Sequence, residues 1–442
     1  MKISDTLLDG SSFLGVWGLG HIGFSTARYF AEAGVPVRGY DPNSNCVAER
    51  RAADLPGTRF ATSSAILLRP EVPVHMIAVP TERDGEPYLG ALEDVTRKIA
   101  GAAAAGCWRG EAPLMIIEST LTPGTIDTFI VPIISSYGLR AGSDILIAVA
   151  PRRDWFLGPG FQFATLDRIY GGYGPRSSEL AGAVLSLVNR TLHHAPSHRE
   201  AELVKCVENA YRHLDITFAN QLTLAYPGID IVEVLRLAGT KWNIHTFHPS
   251  FGTGGYCIPL SSRYLIQGAE RPESLSLLSA TIDTDDLMRT LVADAVAETG
   301  PVVVLGLACR GAVKVDVHSP TKGIADRLRR LGVRFTVFDP LYSPWEVERI
   351  LGEGTSEPNI LESLRRARSV LVVTDHQEFV DHPAYVLAMN ADRTERLTII
   401  DNHGTLAAVD WESHVYYQRA GSANWLNSVV PEVDSVDTPG FV

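Results

Sequence analysis

Phe13-Leu14-Gly15-Val16-Trp17-Gly18-Leu19-Gly20-His21-Ile22-Gly23 decides the fold of the N-terminal part of the chain. Phe13 to Trp17 read as a brief apolar strand, the glycines as a turn, and Phe24 to Ala33 as a helix that Gly34 stops. Val35 to Tyr40 make the next strand, and Asp41 stands at its end, 23 positions after Gly18. A lone Gly-x-Gly-x-x-Gly is a weak signal. With flanking strands and an acid at this offset it becomes a dinucleotide fingerprint: Gly18, Gly20 and Gly23 let a pyrophosphate approach the helix N-terminus, and Asp41 takes the ribose hydroxyls. An acid at that place favours NAD over NADP, whose extra phosphate it repels.

Outward from this unit, Val74 to Val79 form a strand ending in Pro80-Thr81, and Leu114 to Ile117 one ending in Glu118-Ser119-Thr120. Thr81 and Thr120 are thereby placed at the carboxyl ends of parallel strands, where open α/β sheets hold ligands. Capping of a following helix is the alternative for each. Ile145 to Val149 make a further strand that runs into Ala150-Pro151-Arg152-Arg153-Asp154. The chain is then loop-rich and glycine-punctuated to Gly174, and the first domain is expected to close at residue 175.

From about Arg199 to Tyr226 the pattern is a long helix, closed by Pro227-Gly228, with Lys205, Asn209 and Arg212 on one stripe. That stripe is either a solvated face or one that lines a cleft. A second helix, Ile231 to Leu237, leads through Lys241 to His248-Pro249-Ser250-Phe251-Gly252-Thr253-Gly254-Gly255-Tyr256-Cys257-Ile258-Pro259. Three glycines in four positions admit a tight turn or a close ligand, and the prolines fix the chain on either side. Cys257 is then either a small buried hydrophobe or a presented thiol. Residues 196–298 read as a helical middle domain carrying this loop.

Val302 to Leu307, Val333 to Phe338, Ser369 to Thr374 and Leu397 to Ile400 are strands with helices between, a second open α/β domain over 299–420. Arg310 follows its first strand and puts a cation at the ligand edge. The tail, 421–442, reads as frayed. The fold class is α/β, with two Rossmann-like open parallel-sheet domains joined by a long central helix and a helical middle domain.

Bulk properties set outer limits. With 442 residues the chain exceeds one ordinary core. A net charge of −12 argues against a nucleic-acid surface. The five cysteines lack metal-ligand spacing, so no metal is expected, and reduced thiols in a cytoplasm are. No apolar run approaches the roughly 18 residues of a membrane span.

Together these stretches resemble the nucleotide-sugar 6-dehydrogenases, the family of UDP-glucose dehydrogenase, over nearly the whole chain. Gly18 to Gly23, Val79-Pro80-Thr81, Glu118-Ser119-Thr120, Ala201-Glu202-Leu203-Val204-Lys205 with Asn209, Gly254-Gly255-Tyr256-Cys257-Ile258-Pro259, Gly306-Leu307-Ala308 and Thr374-Asp375-His376 carry the resemblance. Glu118, Cys-Ile-Pro and Thr-Asp-His favour its UDP-N-acetylglucosamine and UDP-N-acetylmannosamine branch. The resemblance implies two hydride transfers to NAD from carbon 6 of a nucleotide sugar, through a thiohemiacetal and thioester on Cys257. It further implies that Lys205 and Asn209 hold the substrate oxygen, that Arg310 and Lys241 meet the diphosphate, and that Arg212, Phe251 and Gly254 adjoin the substrate. A homodimer through the central helix is expected.

The chain also departs from the family. Ser261 stands where the family carries an aspartate four residues after the cysteine, and Arg152 follows Pro151 where the family reads Pro-Glu. A shifted loop would bring Asp154 to the glutamate's place. His318 stands before Ser319-Pro320 where the branch has arginine, and Asp215 where the family has lysine or asparagine. A single two-electron oxidation, an atypical nucleotide-linked substrate, or a silent nucleotide-sugar binder are the alternatives.

Overall fold

The computed structural model describes residues 3–83, 85–153 and 164–426. Those residues form two compact units, one running to Glu208 and including Arg263–Pro272, the other made of Asn209–Ser262 and the described residues from Glu273 onward.

The first unit is built on one eight-stranded sheet. Its strands are β1 (Leu14–Trp17), β2 (Val37–Tyr40), β3 (Thr58–Ala61), β4 (Val74–Ile77), β5 (Leu114–Ile117), β6 (Leu146–Val149), β7 (Arg168–Gly172) and β8 (Leu192–His194). Their order is β8-β7-β6-β5-β4-β1-β2-β3, parallel throughout except where β6 meets β7. The strand order reverses between β1 and β4, and such a switch point opens a crevice at the carboxyl ends. β1, β4, β5 and β6 are buried at every position, which is why they read as continuous apolar runs rather than alternating ones. Leu14, Val16 and Met76 enter the core on one face of the sheet; Trp17, Ile77 and Ile117 enter the core on the other.

The sheet passes the sequence-based boundary at residue 175. Gly171-Gly172 suggested a loop, but a Cβ at Gly171 would meet the Ser197 carbonyl and one at Gly172 the Ser178 backbone. Close packing of β7, rather than looping, requires these glycines. The chain then continues through Leu192–His194 as β8, paired in parallel with β7.

The second unit carries a five-stranded, all-parallel sheet. Its strands are β9 (Val302–Leu305), β10 (Phe335–Phe338), β11 (Ser369–Val372), β12 (Leu397–Asp401) and β13 (Val415–Arg419), in the order β10-β9-β11-β12-β13. Val302 and Val304 face one core, and Val303 and Leu305 the other.

Six of the helices are α1 (His21–Glu32), α2 (His198–Ala225), α3 (Ile231–Ala238), α4 (Ile258–Gly268), α5 (Ser276–Ala297) and α6 (Pro320–Arg330). α1 begins three residues earlier than the apolar pattern predicts, because Gly20 is itself the N-cap. α2 is the long central helix that joins the two Rossmann-like parts in sequence.

Candidate functional site

In the first unit the three fingerprint glycines do different work. Gly18 has φ +85°, and a Cβ there would run into the Ala78 carbonyl, as one on Gly23 would run into the Gly18 carbonyl. Packing of the turn itself demands both. Gly20 meets none of the described residues within 4 Å of where a Cβ would stand, and no side chain caps α1. The first N–H groups of α1 are therefore open to an anion at that position.

Asp41 lies half-buried beside this turn, its Oδ2 accepting from Leu19 N–H at 2.8 Å and its Oδ1 from Asn43 N–H at 2.9 Å. A carboxylate has about four acceptor positions, so two remain. The second unit repeats the device with a different outcome. Asp339, after β10, accepts from Leu307 N–H at 2.7 Å, Ala308 N–H at 2.8 Å, Leu341 N–H at 2.8 Å and His376 Nε2 at 3.0 Å, and is buried. Its capacity is spent internally.

Thr81 and Thr120 are bonded to each other. The Thr81 hydroxyl donates to the Thr120 carbonyl at 2.6 Å, and the Thr81 carbonyl accepts from Tyr264 Oη at 2.7 Å. Ser119 donates to the Val79 carbonyl at 2.6 Å. These bonds stitch together the segments after β4 and β5; none is a helix cap.

Arg152 points into the first unit's interior. Its Nη1 donates to Thr26 Oγ1 at 2.5 Å and its Nη2 to Ser25 Oγ at 3.1 Å, both on α1. Thr26 passes a bond to Glu118 Oε2 at 2.6 Å, and Arg168 donates to Glu118 Oε1 at 2.5 Å. Two guanidiniums thus converge on one buried carboxylate beneath the helix that follows the glycine turn. Asp154 lies outside the described residues. Lys205 is half-buried, 4.0 Å from Glu208.

In the second unit, the inward polar stripe of α2 is not the one the sequence suggested. Asn209, His213, Thr217 and Asn220 are buried, at i, i+4, i+8 and i+11, whereas Arg212 is exposed. The buried stripe grips the cysteine loop. Asn220 Oδ1 accepts from Ser250 N–H at 2.8 Å, His213 reaches Ser262 Oγ at 3.0 Å, and Asn209 Nδ2 donates to Ser261 Oγ at 3.0 Å. Ser261 donates in turn to the Cys257 carbonyl at 2.8 Å. Their spacing along one face was the legible signal for His213 and Asn220.

Phe251 is fully buried, stacks on Trp425 with ring centroids 5.9 Å apart, and donates its N–H to Asn402 Oδ1 at 2.8 Å. It anchors the loop to the second core. A Cβ on Gly254 would press on Cys309 Sγ at 2.9 Å, and Gly255, with φ +86°, donates to the Val317 carbonyl at 2.7 Å. The loop is therefore pinned from Ser250 to Gly255 and opens at Tyr256 and Cys257, both exposed; Cys257, just before α4, is the exposed thiol among five free cysteines. Cys206 is buried, and burial pushes both it and Cys309 up to about 12, far from reactivity at neutral pH.

Arg310 and Lys241 are exposed. Burial would raise the Asp375 carboxyl, but the Gly311 N–H, the His403 ring and the Arg310 charge hold it below the usual range. No helix of the described residues is long and apolar enough to cross a membrane.

Comparison with known proteins adds an independent line. Residues 199–286 match the central domain of the UDP-glucose/GDP-mannose dehydrogenase family, and residues 303–407 its UDP binding domain. The UDP-N-acetyl-D-mannosamine dehydrogenase of Pyrococcus horikoshii is 26% identical over 407 residues, covering 83% of this chain and 90% of that protein. The NDP-N-acetyl-D-galactosaminuronic acid dehydrogenase of Ralstonia solanacearum is 28% identical over 429 residues, covering 89% and 96%. Among solved structures, a UDP-D-ManNAc dehydrogenase from Pyrococcus horikoshii has a TM-score of 0.77 at 25% identity, over 93% of this chain and 99% of that one.

Proposed function

We propose, for a chain that carries the central and UDP-binding domains of the UDP-glucose/GDP-mannose dehydrogenase family, that it oxidises carbon 6 of a UDP-N-acetylhexosamine or related UDP-hexose to the uronic acid, with NAD as acceptor. The observation that carries the proposal is Cys257, the exposed thiol at the end of a loop whose other anchors are buried.

The glycine turn and Asp41 fit NAD, since the backbone opens at Gly20 and Asp41 keeps acceptor capacity. When bound there, the cofactor supplies the hydride acceptor for both oxidations. The chain's own groups do the rest. Cys257 adds to the carbon of the C6 aldehyde to give a thiohemiacetal; loss of a hydride from that carbon and a proton from its hydroxyl leaves a thioester; water cleaves it to the carboxylate and frees the thiol. Lys205 and Asn209, one turn apart on α2, hold and polarise the C6 oxygen, and Asn209 keeps a second N–H for this after bonding Ser261. Lys241 and Arg310 are exposed cations assigned to the diphosphate, Arg212 is assigned to the substrate's surroundings, and Phe251 and Gly254 shape the loop beside the sugar.

The partner we assign is a second copy. Leu203, Val207, Tyr211 and Phe218 leave an exposed apolar stripe along α2, each more than two-fifths accessible, which a homodimer through that helix covers. The cytoplasm is the assigned compartment, in keeping with five unpaired thiols.

One observation favours a shorter reaction. Ser261, where the family has aspartate, is buried and committed to Asn209 and the Cys257 carbonyl, and cannot serve as a base at neutral pH. Counting NADH formed per sugar nucleotide across UDP-hexoses and UDP-N-acetylhexosamines, with product mass, separates the cases. Two NADH and an acid support full oxidation; one NADH and an aldehyde support the truncated reaction; no turnover overturns both.

A further inference from the structure

His213 is buried on α2 and touches both flanks of the cysteine loop. Its Nε2 lies 3.3 Å from Thr253 Oγ1, four residues before Cys257, and its Nδ1 3.0 Å from Ser262 Oγ, five residues after it. Asp285 on α5 completes the cluster. It accepts from Thr253 N–H at 2.8 and 3.0 Å, from the Thr253 hydroxyl at 2.8 Å and from Arg289 at 2.7 Å, and lies 3.8 Å from His213 Nε2. Arg289 also donates to the Thr253 carbonyl at 2.8 Å. Burial alone would raise Asp285, but the His213 ring beside it, the Arg289 charge and the Thr253 hydroxyl hold the carboxyl below the usual range.

Donor and acceptor counting orients the chain. An ionised Asp285 only accepts, so the Thr253 hydroxyl donates to it. Thr253 Oγ1 then accepts from His213 Nε2–H, which places a proton on Nε2 and leaves Nδ1 facing Ser262. In the neutral ring Nδ1 accepts the Ser262 hydroxyl proton. Each bond is satisfied in one direction, and the two ends of the thiol's loop are tied through one imidazole.

We propose that His213 is a positioning residue that fixes Cys257 by clamping Thr253 and Ser262 on either side of it; the consequence for turnover rests on the oxidation proposed above. A nucleophile displaced by about 1 Å loses roughly 100-fold in rate.

The test uses the full chain with His213→Ala, His213→Asn and His213→Gln, read by amide hydrogen exchange over 250–262 and by kcat and KM. His213→Ala is expected to speed exchange in both flanks about tenfold, the equivalent of a lost buried hydrogen bond. It should also lower kcat about 10- to 100-fold per folded molecule with KM unmoved. Should the alanine variant fail to fold, the amides decide: Asn, shorter, retains the Ser262 flank, and Gln, longer, the Thr253 flank. Exchange like the parent's, or both flanks moving alike in Asn and Gln, overturns the clamp. Faster exchange with unchanged turnover makes His213 merely structural and overturns its positioning role. A parent without any turnover removes the dehydrogenase proposal, and exchange alone then decides the clamp.

Discussion

Asn209 donates its side-chain N–H to Ser261 across 3.0 Å, and through that hydroxyl is linked to the Cys257 carbonyl. Ser261→Ala strands a buried amide N–H, a cost of about 1–3 kcal/mol, and should appear as a lower melting temperature. Ser261→Asp offers Asn209 an acceptor and returns a carboxylate next to the thiol's helix. Where the parent accumulates thioester, its hydrolysis should speed up by roughly two to four orders of magnitude. Rapid-quench mass analysis of the Cys257 peptide measures it; thioester lifetimes equal in both proteins would refute the missing-base explanation.

Cys257→Ser removes the one exposed thiol. Acid formation should disappear while NAD binding, followed by cofactor fluorescence, persists because the glycine turn is untouched. Unchanged acid output would exclude Cys257 as the nucleophile.

Arg152 is almost wholly buried, 3.9 Å from Glu118, and bonded to Thr26 and Ser25. Arg152→Glu therefore does not rebuild a catalytic carboxylate; it sets two carboxylates against each other in the interior. Removing one partner of such a pair costs about 3–5 kcal/mol, so the urea midpoint should fall steeply. A variant as stable as the parent would mean the cluster carries no net stabilisation.

Glu202 accepts from Gly124 N–H and Ile126 N–H, both at 2.9 Å, and burial raises its carboxyl from 4.5 to about 7. The folded state then holds this proton more tightly than the unfolded chain, so Glu202's contribution to stability is full below about 4.5 and is lost as pH rises to about 7. Glu202→Gln cannot titrate. It should be less stable at acidic pH, because its amide opposes one backbone N–H, yet show a flatter dependence of melting temperature between those pH values. A slope identical to the parent's would assign the titration elsewhere.

Phe218 and Tyr211 are each more than half exposed on α2. Phe218→Glu, which desolvates a charge in any apolar contact, should convert the dimer to monomer by light scattering at micromolar protein. A parent that is already monomeric would remove the assigned homodimer.

Much of the fold was legible because parallel strands buried on both faces are unbroken apolar runs, as at Val302–Leu305, and because Gly18 and Gly23 in the first turn leave no room for a Cβ. α2 was placed within a residue at each end, since its apolar period and Pro227 mark it. β7 and β8 were not seen: Gly171-Gly172 at the end of β7 read as a loop, and the segments that press on those glycines, at Ser178 and Ser197, are brought there only by the fold.

The sequence by itself determined the two open sheets, the glycine turn with Asp41, and the cysteine loop, because each is written in contiguous residues whose conformational limits are local. The tertiary structure decided what those residues do with their polar groups. Only packing shows that Arg152 is consumed by Glu118's buried cluster, that Phe251 belongs to the core, and that His213 rather than Arg212 turns inward on α2. The reason is physical: a buried donor or acceptor must find its partner wherever the chain brings one, and partners such as Asp285 and Thr253 lie tens of residues apart.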